Sequence, residues 1–172
     1  MIVSKPTQDA LMELIKQCFI ENRKLDRIVS ILGVKFAMNE TANLIHQNIA
    51  HYFPVLSDKI GELCLERYNI SVLYGETPSA YEDYDKVVEI IHLIENRIID
   101  FQSAMMAVCK IAFKNNDINV YTDMLGLLAE YNKLVEQVIL LTDKIGYYGE
   151  DKIMEFDHDI SHFWILGENR ND

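Results

Sequence analysis

A chain of 172 residues with 49% hydrophobic and 25% charged residues is long enough to bury one core and too apolar to be disordered. Its formal charge of -11, with no local cluster of Lys and Arg to offset it, argues against a phosphate-binding surface and so against nucleic acid. Metal cations or basic partners suit that charge better.

Three prolines and seven glycines are few, and they fall between periodic runs, which is the economy of an all-α protein. No apolar run approaches the ~20 residues that a membrane span needs. The start, MIVSKPTQDA, turns polar too soon for a signal peptide, so a cytoplasmic location is expected. Cys18, Cys64 and Cys109 lie within helical patterns. An odd number without a close pair predicts buried free thiols rather than a disulfide framework or a zinc finger.

In chain order, Thr7 is expected to cap a first helix, with Pro6 just before it. Leu11, Leu14, Ile15, Cys18 and Phe19 give that helix one apolar face. The pattern weakens across ENRKLDR and resumes from Ile28 to Tyr52. This spacing predicts helices over about 7 to 23 and about 25 to 52, or else one kinked rod, with Gly33 as a further break point. Pro54 removes a donor and disfavours helix at Phe53, so it starts or kinks the next helix, about 54 to 73. GETPS, 75 to 79, is a clear break.

A long central helix is predicted over about 80 to 115. Val87, Ile91, Ile94, Ile98, Phe101, Met105, Val108 and Ala112 step by four and three along one seam. Beside it runs a second stripe of Val88, His92, Glu95, Ile99 and Met106. A histidine and a carboxylate three residues apart point the same way on that stripe, and half-buried ionisable groups need a partner. NND ends the helix. Asp117 is expected to cap the next, about 118 to 145, and GYYG closes it. A short helix over about 151 to 165 carries Ile153, Phe156, Ile160 and Trp164, and the tail GENRND is expected to be loose. With no repeat and no linker, the chain reads as one domain, 1–172, whose core bundle spans about 25–146. Four long helices with short connections make an antiparallel bundle.

Residues 93 to 131, LIENRIIDFQSAMMAVCKIAFKNNDINVYTDMLGLLAEY, resemble the third helix, Asn-Asp turn and fourth helix of ferritins. MNETANLIHQNIAHYF, 38 to 53, resembles the first ferritin helix, and GETP resembles the Gly-Pro break after the second. The short last helix is similar to the fifth. The resemblance implies a ferritin-like antiparallel four-helix bundle with an extra N-terminal helix and a short C-terminal helix. It also implies a di-iron site inside the bundle, built from glutamates and Glu-x-x-His pairs. On that resemblance Glu95 takes the third-helix glutamate position and Glu130 falls near the fourth-helix one. Ile45 stands at the first-helix position, with His46 beside it. The second-helix Glu-x-x-His is absent, with Asp58 and Gly61 in its place. A Dps-like alternative pairs Asp58 and Glu62 with His46 and His51 between two subunits.

The candidate metal ligands are therefore Glu95, His92, His46, Asp58, Glu62 and Glu130. Each also has an ordinary reading as a surface ion pair, a satisfied histidine or a solvated helix face. His158 and His162, four apart, could chelate zinc or simply form a polar face. The function implied is iron binding, with ferroxidase-type oxidation of ferrous iron for storage or detoxification. The alternative is a metal-free bundle acting as a structural or interaction module. Long amphipathic helices, and tyrosines 81, 84, 147 and 148 at helix ends, predict a homo-oligomer.

Overall fold

The computed structural model describes residues 3–164. Its first helix, α1 (Lys5–Val34), runs unbroken through ENRKLDR, because Leu25 and Ile28 carry the buried face onward from Leu14 and Cys18. The expected division near residue 24 is absent, and the break falls just after Gly33. A short turn with Ala37 at φ 56° reverses the chain into α2 (Asn39–Ile45). A π turn (His46–Ala50), α3 (Tyr52–Leu63) and a second π turn (Cys64–Tyr68) follow. His46, His51 and Cys64, at the junctions, keep right-handed helical dihedrals, so 39–68 is one rod.

Pro54 lies inside that rod and does not end it. A proline has no N–H for the carbonyl four residues earlier, here Ala50. Asn22 of α1 fills the gap: its Nδ2 donates to the Ala50 carbonyl at 3.0 Å. The rod stops at Asn69, which takes the left-handed conformation, while the Ile70 N–H closes back on the Cys64 carbonyl.

Residues 69–86 contain no helix, so both the predicted end at 73 and the predicted start at 80 give way to an extended link. The link follows α1 along its length. Leu73 meets Met12, Tyr74 packs edge-on to Phe19, Arg27 donates to the Glu82 carbonyl, and Lys35 donates to the Tyr84 carbonyl. The rod of 39–68 and α4 (Val87–Lys114) consequently run in the same direction, joined by one long crossover. α5 (Ile118–Tyr148) returns after a three-residue turn, and the short α6 (Ile153–Asp159) packs against α5 and α2. Helix accounts for 81% of the described residues, with no strand among them. The tail GENRND and residue 165 lie outside the described residues.

All eight seam residues of α4 are buried, against α5 on one side and α1 on the other. The core extends from Val3 to Trp164, so α1 is a full member of the bundle. Several helix starts are closed from far away in sequence. The Asp117 carboxylate accepts from the Ser4 N–H and Oγ at the head of α1. Asp157 accepts from the Thr41 N–H of α2, and Glu150 from the Val87 and Val88 N–H groups of α4. Thr7 is therefore not the cap. It lies within α1, its hydroxyl 3.0 Å from that of Ser4. Asp117 makes no side-chain cap on α5, the helix it precedes. Among the described residues, no helix is long and apolar enough to cross a membrane, and all three cysteines are buried and free.

Candidate metal centre

Each long helix sends one large or reactive side chain into the middle of the bundle. Phe53 from the rod, Phe101 from α4 and Tyr131 from α5 form a knot, with ring centroids 4.9 to 6.4 Å apart. Cys18 of α1 lies fully buried close by. The Tyr131 hydroxyl donates to the Ile98 carbonyl at 2.8 Å, which occupies its only proton. Burial, aided by the nearby Glu21 charge, pushes both the phenol and the Cys18 thiol well above their ordinary values. Ile94, Ile98, Ala50 and Leu134 complete the surroundings, all buried.

A carboxylate of α1 reaches the edge of this knot. In α1 the steps Leu14, Cys18, Glu21, Leu25 and Ile28 run four, three, four, three, so Glu21 stands on the core stripe. Across the seam, Arg97 of α4 grips it with Nε on one oxygen at 2.8 Å and Nη2 on the other at 3.0 Å. The side chains are 15% and 20% exposed. Burial pushes the Glu21 carboxyl above its ordinary value, and Arg97 only partly offsets this. A planar guanidinium suits a carboxylate held in such a half-dry seam better than an ammonium would. Neither residue was among the sequence candidates. The four-three spacing through ENRKLDR is the signal that could have found Glu21.

The six candidates fall with different partners. His92 and Glu95 do come together, Nδ1 to Oε2 at 3.7 Å, with His92 largely exposed. His46 Nδ1 lies 3.1 Å from Asp26 Oδ1, and its ring contacts that of His51. Asp58 and Glu62 are exposed and line a hollow with Ile70, Val72 and Tyr74 of the link. Glu130 is exposed and pairs with Lys59 at 2.8 Å. His158 and His162 flank Asp159 on the surface, at 3.0 and 4.0 Å. Among the described residues, no group of three or more His, Cys, Asp or Glu side chains is placed to hold a metal ion. The alignment of 38–53 with a first bundle helix is also corrected, because 5–34 fills that place and 39–68 is the second rod. The first helix's inward carboxylate is then Glu21, not a residue at 45. The rod's inward pair at this level, three residues apart, is Ala50 and Phe53.

No protein-family model matches the sequence, and no curated protein matches it. Solved structures do match the fold. An open-pore ferritin from the hyperthermophilic archaeon Archaeoglobus fulgidus superposes with a TM-score of 0.85 at 14% identity, over 92% of this chain and 96% of that one. A humanised archaeal ferritin gives 0.84 at 13% identity, and an engineered closed form of the A. fulgidus ferritin gives 0.84 at 14%. Both superpositions cover 92% of this chain and 96% of the other. The fold is ferritin-like. A di-iron centre in such a bundle takes a glutamate from each of two helices and a Glu-x-x-His from each of the others. The donors here do not fit it. Glu95 on α4 meets His92, but Ala50 and Phe53 face inward on the second rod, Tyr131 on the fourth helix is committed to a carbonyl, and Glu21 is held by Arg97.

Proposed function

We propose that this protein is a ferritin-like subunit without an intra-bundle di-iron centre, working as a self-assembling structural or interaction module. The observation that supports this is the Arg97–Glu21 pair beside a core layer of Cys18, Phe53, Phe101 and Tyr131. In a bundle that holds iron, ligand carboxylates are neutralised by the metal. Here a guanidinium neutralises the inward carboxylate, and hydrocarbon fills the space the other ligands would need. Assembly is supported by large apolar side chains left outward on α4 and α5: Met106, Phe113, Leu125, Ile139 and Leu140.

The test is anaerobic loading of the full chain with ferrous iron, followed by metal analysis, oxidation in air and sedimentation. The expected result is no stoichiometric pair of irons per chain, oxidation no faster than in buffer, and an oligomer in solution. Two bound irons with accelerated oxidation would overturn the metal-free reading. A monomer at high micromolar concentration would overturn assembly.

A second reading keeps iron on the chain, at the periphery. The observation favouring it is the approach of His92 to Glu95 on α4. A His92→Ala, Glu95→Ala variant that loses iron bound by the parent supports it, and equal binding by both sinks it.

A further inference from the structure

We infer that His46 and His51 form a surface site for a divalent late transition-metal ion, Cu²⁺ most tightly and Zn²⁺ or Ni²⁺ less so. The backbone makes the pair. Residues five apart on an α-helix lie on different faces, since the repeat is 3.6 residues per turn. Here the π turn inserts one extra residue, and the His51 N–H bonds the His46 carbonyl at 3.1 Å. This swings His51 over His46, with ring centroids 4.1 Å apart and planes inclined by 57°. An extra residue in a helical turn is costly to keep, and such turns recur at functional sites.

Asp26 of α1 supplies the second observation. Its Oδ1 lies 3.1 Å from His46 Nδ1. A carboxylate there favours the Nδ1–H tautomer and leaves the Nε2 lone pair free for a metal, the arrangement that orients metal-bound histidines. Asp26 is thus an orienting group and not a ligand, so the site uses two imidazoles and takes its remaining ligands from water. His51 is exposed and His46 half-exposed, so a hydrated ion can reach both. Imidazole pairs favour Cu²⁺ over Zn²⁺ and Ni²⁺ by intrinsic affinity. The chain's formal charge of -11 draws cations to the surface. The site lies apart from the Glu21–Arg97 seam and does not depend on whether the interior holds iron.

The experiment titrates Cu²⁺ alone into the full chain, by calorimetry and by electron paramagnetic resonance. The parent is expected to bind one Cu²⁺ per chain with hyperfine structure from two nitrogens. His46→Ala and His51→Ala should each abolish that signal, and Asp26→Asn should weaken binding about tenfold. His51 is exposed, so its variant should fold as the parent does. A His158→Ala, His162→Ala variant should bind as tightly as the parent. The proposal is overturned if the parent takes up no stoichiometric Cu²⁺, if His51→Ala binds equally well, or if the loss follows His158 and His162 instead.

Discussion

Arg97 holds both carboxylate oxygens of Glu21 across the seam between α1 and α4. Removing the guanidinium leaves a mostly buried carboxylate without its bidentate partner. Arg97→Leu should therefore destabilise the fold by about 1–3 kcal/mol. Replacing the pair together, Glu21→Leu with Arg97→Leu, should recover most of that loss, because two apolar side chains suit the seam without a desolvated charge. Urea unfolding of the parent and these variants measures it. An Arg97→Leu variant as stable as the parent would show that the pair contributes nothing.

The bond from Asn22 to the Ala50 carbonyl exists because Pro54 cannot serve that carbonyl. Asn22→Ala should cost about 1 kcal/mol. Residue 54 regains an N–H in Pro54→Ala, so the same Asn22→Ala change should cost less in that background. The double-mutant cycle reads the coupling directly. An equal cost in both backgrounds would mean that the carbonyl does not need Asn22.

Acid should loosen the head of α1. Burial pushes the Asp117 carboxyl up, but hydrogen bonds from Ser4 and Thr7 outweigh it and hold the group below its ordinary value. A carboxyl depressed in the folded state stabilises it above the unfolded value, near 3.8, and that contribution disappears as pH falls through the folded value. Asp117→Asn should therefore be less stable than the parent near neutrality, with the gap closing below about pH 4. Thermal unfolding between pH 2 and 7 tests the sign. A gap that stays constant with pH would rule out the titration.

The bundle was legible wherever one periodicity decided the outcome. The α4 seam, from Val87 to Ala112, is buried at all eight predicted positions. The N-terminal half was read with the wrong divisions because two local signals were answered by distant residues. Charges in ENRKLDR looked like a break, yet Arg97 and Glu82 take up Glu21 and Lys24 from outside α1. Pro54 looked like a boundary, yet Asn22 meets the carbonyl it abandons. The sequence pattern carries the flanking helices to about 73 and from about 80, with only GETPS as a break, so the residues at both ends of the link are expected to be helical. In fact they lie extended along α1. Of the candidate ligands, spacing correctly brought His92 near Glu95, since three residues suffice to set that contact within one helix. Spacing carries no information on how Asp58 or Glu130 sits relative to other helices.

The remote carboxylates on Ser4, Thr41 and Val87 bear on how the chain acquires its structure as it is made. Their partners lie 113, 116 and 63 residues away, in every case toward the C-terminus. A helix nucleates at a loss and gains from an early closed first turn. α1, α2 and α4 lack that closure from their own sequence. A nascent chain that has emerged only as far as residue 116 holds most of the bundle's apolar seams but none of these three acceptors. Long-range contacts of this kind slow folding and leave exposed apolar surface for longer. The last third of the chain thus sets when the first two-thirds can settle, and stalling synthesis before Asp117 should leave helices that chaperones still recognise.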